Sequence, residues 1–186
     1  MIKKVLILAL LSTVLVSCSD KGDEQISVSC SISENVSGTS NGANLTPESR
    51  RSTQSYVFHR EKLETGSQLN DFTKSPPVFL APDREKKLAW VVEINGFKLQ
   101  PINITTKNAD GSSRNEDNYI SVDNSTVGYN KTYFFTTKDG KKGGEITTIT
   151  INRLTGELVG ANQLYGSDNQ FHTEIQGKCA KASLKF

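Results

Sequence analysis

Thr132–Cys179 reads TYFFTTKDGKKGGEITTITINRLTGELVGANQLYGSDNQFHTEIQGKC. Short runs of β-branched and aromatic residues alternate there with Asp139-Gly140, Gly143-Gly144 and Thr155-Gly156. Branched and aromatic side chains suit a pleated, half-buried surface, and glycine supplies the positive φ that tight turns need. The stretch therefore predicts four neighbouring strands, Thr132–Thr137, Glu145–Asn152, Glu157–Tyr165 and Gln170–Cys179. Within Ile146–Ile151 the apolar spacing breaks at Thr147-Thr148, which predicts a bulge.

Upstream, Leu88–Ile94 and Phe97–Ile104 flank Asn95-Gly96. Both turn residues tolerate positive φ, so this is the clearest hairpin signal in the chain. Ile26, Val28, Cys30 and Ile32 alternate with serines, the period of a strand with one face buried. Tyr56-Val57-Phe58, Val78-Phe79-Leu80 and Tyr119–Val122 are further short apolar segments, and Pro76-Pro77 excludes helix before the second. Ser33–Ser55 and Lys107–Asn118 are dominated by polar residues without an apolar period, and read as loops. Arg and Glu gather between Ser49 and Leu69, where a helix competes against the local Thr and Gly content. The expected architecture is a single, mainly antiparallel β domain over residues 26–186, a sandwich or an incomplete barrel, ending in a four-strand meander.

The amino terminus carries an address. Lys3 and Lys4 precede an apolar run from Val5 to Leu15, and Leu15-Val16-Ser17-Cys18 follows. The run is shorter than the roughly 20 residues needed to span a hydrocarbon core. It resembles the type II signal peptide of bacterial lipoproteins, in which a leucine stands three residues before the cysteine and small residues precede it. That resemblance implies removal of residues 1–17, lipidation of Cys18, and a charged tether over residues 18–25. A lipid chain contributes about 0.8 kcal/mol per buried methylene, and two chains or more hold stably. Ser19 after the cysteine implies export to the outer membrane, with the domain facing the periplasm.

The address alters the charge count. Of 22 basic and 20 acidic residues, Lys3 and Lys4 lie in the removable segment, which holds no acid, so the remaining chain is formally neutral. No basic footprint for nucleic acid remains. Lipidation of Cys18 also leaves Cys30 and Cys179 as the last two thiols. In an oxidising compartment their pairing is expected, closing a loop from the first strand to the last. The alternative is two separately buried thiols, and without Cys-x-x-Cys spacing a redox pair is disfavoured.

Candidate chemistry is sparse. Gly38-Thr39-Ser40-Asn41-Gly42 spells the nucleophile-elbow pattern, but lies in a polar stretch without a following helix pattern. His59 and His172 each stand two residues before a glutamate, Glu61 and Glu174, as strand-surface pairs do. Asn108, Asp110, Gly111 and Asp117 imitate part of a calcium loop, with Thr106 in the first ligand place. Neither a metal site nor a cofactor is expected. Trp90, Phe134 and Phe135 supply aromatic surface for a ligand or partner. The carboxyl end, Ile149–Gly156 with Gly177-Lys178-Cys179 and Lys185-Phe186, resembles that of small exported proteobacterial proteins and brings no activity with it. The resulting expectation is a non-enzymatic envelope protein, anchored to the membrane through Cys18, that binds an envelope protein or small ligand. The competing classes are a hydrolase with a histidine base and a purely structural surface lipoprotein.

Overall fold

The structure, a computed structural model, describes residues 25–64, 66–81 and 86–180. The signal segment, Cys18 and the terminal Lys185-Phe186 lie outside the described residues. The described chain forms thirteen strands in one sheet, almost wholly antiparallel. They are β1 (Gln25–Ser40), β2 (Ala43–Asn44), β3 (Glu48–Glu64), β4 (Ser67–Asp71), β5 (Val78–Leu80), β6 (Lys86–Ile94), β7 (Phe97–Leu99), β8 (Ile102–Lys107), β9 (Ser113–Val122), β10 (Thr126–Thr136), β11 (Lys142–Asn152), β12 (Glu157–Tyr165) and β13 (Asn169–Ala180). The spatial order runs β5-β4-β8-β9-β10-β11-β12-β13-β1-β3-β6-β7, and β4 joins β8 in parallel.

The sheet curls into an incomplete barrel rather than splitting into a sandwich. Val92 of β6 and Ile120 of β9 stand seven strands apart along the sheet, yet both belong to one buried core with Ile26, Phe58, Val127, Ile151 and Leu158. Only a curled sheet brings them together. Closure is covalent rather than hydrogen-bonded: β7 and β8 are successive in the chain, joined through Gln100-Pro101, but do not pair. Proline has no N–H for a ladder. Beside this seam, Asn118 Nδ2 stands 3.5 Å from the Gln100 carbonyl, and Asn118 Oδ1 is buried without a partner among the described residues.

The expected carboxyl meander is present as β10–β13, with β9 extending it. The Asn95-Gly96 hairpin is also present, with φ of 50° and 85°. Its second strand is cut short at Leu99, and Ile102–Lys107 pairs with β9 instead. Cys30 and Cys179 stand opposite each other on β1 and β13 and form a disulfide.

Four local expectations are corrected. Ser33–Ser55 is not a loop but the upper halves of β1 and β3, joined by a short turn carrying β2. Its apolar alternation disappears because the inward positions there include Glu34, Gly38, Glu48, Arg50, Ser52 and Gln54, as polar as the outward Ser, Asn, Thr and Arg51. Ser113–Asn118, expected as loop, is the first half of β9 for the same reason, leaving residues 108–112 as the turn. The described residues of Ser49–Leu69 form no helix; β3 and β4 occupy them. No bulge interrupts β11, whose register with β10 and β12 is continuous. Thr147 continues the inward row of Ile149 and Ile151, and Ile146 faces out.

The outward face of β1 presents Ser27, Ser29, Ser31, Ser33, Asn35 and Ser37, and that of β13 presents His172, Glu174, Gln176 and Lys178. A membrane-crossing barrel presents an apolar outer band about 25 Å tall. On β1 and β13 the outward rows are polar, whereas Val159 of β12 and Tyr119 of β9 are apolar residues exposed on the outer face.

Candidate functional site

Strand lengths create the opening. β1 and β3 run for 16 and 17 residues, whereas the hairpin β6–β7 turns back at Asn95-Gly96. Asn95 locks that turn to Ser55: its N–H donates to the Ser55 carbonyl at 3.0 Å, and its Oδ1 accepts from the Ser55 N–H at 2.8 Å. Above the hairpin the inner faces of the long strands are left uncovered. A cleft of about 410 Å³ results, with Ile94, Phe97, Leu99, Ile149 and Ile175 as apolar lining and Glu34, Gln54, Tyr129, Lys131, Glu145, Thr147, Asn162 and Thr173 as polar lining. Small-molecule sites span roughly 300–1,000 Å³ and combine an apolar lining with few polar groups.

Two cross-strand rows build the wall. Lys131, Thr147, Asn162 and Thr173 stand opposite one another across β10–β13, and Tyr129, Ile149, Gly160, Ile175 and Glu34 form the next row. Gly160 leaves room in the second row, since a Cβ there would stand 2.5 Å from Ile149 Cδ1. Glu145 projects above the first row. Its Oε2 takes Lys131 Nζ at 3.2 Å, while its Oε1 accepts from Asn162 Nδ2 at 2.9 Å and from Thr147 Oγ1 at 3.2 Å. Asn162 Nδ2 also donates to Thr147 Oγ1 at 2.8 Å. Burial opposes the charge of Glu145, but the Lys131 ammonium and these hydrogen bonds together hold its carboxyl below the ordinary range.

One phenol, Tyr129, stands in the wall, and a second, Tyr56, is buried near it. Burial, reinforced by the charge of Glu145, pushes Tyr129 up to about 12. Burial, with Tyr129 and Glu34 nearby, raises Tyr56 as well, and its hydroxyl donates to Gln54 Oε1 at 2.6 Å. Glu34 faces Arg50 across the β1–β3 register, but Arg50 is engaged by Glu48, with Nε and Nη2 at 2.9 and 2.8 Å from its two oxygens. Glu34 has no hydrogen bond or ion pair with a described residue. Lys98, on the β7 rim, is held by Glu61 at 2.5 Å.

The aromatic residues singled out in the sequence do not gather into one patch. Trp90 packs on the core with the Arg60 guanidinium 5.1 Å from its ring centre. Phe134 lies over Gly144 against Tyr165, at 5.8 Å between rings, while Phe135 lies over Gly143 against Tyr133, at 5.9 Å. Consecutive residues on a strand face opposite ways, so these two rings serve different surfaces, and none of the three lines the cleft. The aromatic at its lip is Phe97, 80% exposed.

His59 and His172 lie outside the cleft, 3.8 and 4.0 Å from Glu61 and Glu174 respectively. β1 runs into the Gly-x-Ser-x-Gly motif and returns through Asn41-Gly42 to β2, with no helix after it. Asp110 accepts from the N–H and hydroxyl of Ser112, and Asp117 belongs to β9 rather than to that turn. Among the described residues no group of three His, Cys, Asp or Glu side chains is placed to hold a metal. Sequence reasoning missed Glu34, Lys131, Glu145 and Asn162. The available signal was parity: Glu34 continues Ile26-Val28-Cys30-Ile32, and Glu145 leads Thr147-Ile149-Ile151.

Fold and cleft together define an incomplete, mainly antiparallel β-barrel with an apolar interior and a polar, ligand-sized mouth. No protein-family model matches the chain, and no curated protein matches it by sequence. Among solved structures it is similar to Ail, the attachment invasion locus protein of Yersinia pestis, in complex with the heparin analogue sucrose octasulfate. The identity is 10%, the match covers 84% of this chain and 97% of that one, and the TM-score is 0.28. At that score the likeness says nothing of function.

Proposed function

We propose that this chain is a lipid-anchored, non-enzymatic envelope protein that binds a ligand in the mouth cleft. The cleft itself carries the reading: a hollow of about 410 Å³ with apolar and charged lining on a rigid sheet is what a binding site requires. The ligand sits between strand rows, not on polar loops. The hydrolase alternative would place its base elsewhere, since both histidines lie outside this cleft and His172 lines a separate hollow with Gly38, Thr39 and Tyr165. Anchoring rests on the lipoprotein-type segment ending at Cys18. Gln25 starts β1 at the barrel end opposite the mouth, and the seven residues from Cys18 span at most about 25 Å. A membrane-bound chain thus holds its disulfide end toward the lipid and its mouth away.

Replacing Cys18 with Ala is expected to abolish palmitate incorporation and release the protein from the outer-membrane fraction. Label still entering that variant would refute the anchor assignment. For binding, the His59→Ala/His172→Ala double variant retains ligand affinity. A turnover that depends on either histidine would replace this reading with the hydrolase one.

A further inference from the structure

Resting on that reading of the cleft, we infer that its ligand is a small organic cation, an ammonium carried on an apolar body, with Glu34 as its counter-ion and Phe97 as its cover. The charges inside the cleft compensate one another with one exception. Lys131 and Glu145 are 3.2 Å apart, and Lys98 is taken by Glu61. Glu34 lines the cleft, and the cation opposite it in register, Arg50, is bound by both oxygens of Glu48. Arg50 attracts Glu34 at longer range, yet one carboxylate on the cleft wall keeps no direct hydrogen-bond or ion-pair partner among the described residues. Its oxygens are open to a charge-assisted hydrogen bond from a cation arriving from solution.

The surroundings suit a cation with an apolar body rather than a hydrated metal ion. Tyr129 shares the row of Glu34, and its hydroxyl has no hydrogen bond with a described residue, so a phenolic acceptor stands free in the same wall. Phe97 is 80% exposed at the lip, beside Ile94 and Leu99. A large exposed ring at the rim of a pocket is the usual place for contact with an apolar or cationic ligand. An anion, by contrast, would meet the Glu34 carboxylate and would have to detach Lys131 from Glu145.

The test uses the full processed protein in phosphatidylcholine nanodiscs, with empty nanodiscs as blank. Equilibrium dialysis compares cyclohexylmethylammonium with cyclohexylacetate and cyclohexylmethanol, which keep the apolar body and change the charge. The ammonium should bind saturably and at least about tenfold tighter than either, as one charge-assisted contact implies. Glu34→Gln should weaken it about tenfold, Phe97→Ala should weaken all three probes, and Glu174→Gln on the outer face should change nothing. Equal or tighter binding of the carboxylate or alcohol, or an unaltered Glu34→Gln variant, overturns the cation inference while leaving the cleft a binding site. Failure of all three probes to bind overturns both.

Discussion

The two ends of the barrel interior use the same backbone for opposite purposes. At the disulfide end, Ile26, Phe58, Val127, Ile151 and Leu158 are buried, and Cys30 is bonded to Cys179 between β1 and β13. At the mouth, the same inward rows continue as Glu34, Lys131, Glu145, Thr147 and Asn162 around a cleft. Buried apolar area holds the sheet curled, about 25 cal/mol per Å². The mouth then keeps polar groups in a defined geometry without contributing much to stability. The difference shows a division of labour along each strand rather than between domains.

The sharpest way to break the comparison is to release the disulfide end. A Cys30→Ala/Cys179→Ala variant loses closure of a 149-residue separation, about 3–5 kcal/mol on the chain-entropy account. Denaturant unfolding should show that loss, and a change below about 1 kcal/mol would mean the apolar rows hold the ends without the bond. Next comes Leu158→Ala, 1% exposed in the core, expected to cost about 2–5 kcal/mol. The matching change at the mouth, Asn162→Ala, should cost less and disturb Glu145 instead. A larger cost for Asn162→Ala in the same unfolding assay would reverse the assignment of roles.

Smaller effects follow. Lys131→Met removes a half-exposed ion pair with Glu145, so stability should fall by at most about 1 kcal/mol. The carboxyl of Glu145, without its ammonium partner, should titrate at higher pH, a shift visible by carbon-detected NMR. A further effect is alkaline. Tyr129 is raised to about 12, and Tyr56 is raised as well. A phenol whose folded pKa lies above its unfolded value near 10 adds stability that is complete below pH 10 and disappears as pH climbs toward 12. Urea midpoints should therefore decline across that window. Tyr129→Phe should make the decline shallower, and an unchanged slope would remove Tyr129 from the cause.

Strands with both a regular period and turn residues were readable in advance. β10–β13 and the Asn95-Gly96 turn fall where glycine and branched residues place them, and Cys30 stands at an inward position. Ser33–Ser55 and Ser113–Asn118 were not readable. Their inward positions carry Glu34 and Glu116 rather than hydrophobes, so the two-residue period has no hydropathy contrast. Thr147 misled for the same reason, since a polar inward residue mimics a bulge.

By itself, the sequence determined that the chain is built of strands and where its tight turns fall, because these depend on local conformational preference. Only the tertiary structure decided which polar residues face one another. Glu34 and Lys131 are 97 positions apart in the chain and line one cleft only once the sheet has curled. That curl is set by strand order, register and the short β6–β7 hairpin, none of which is a local property of any segment.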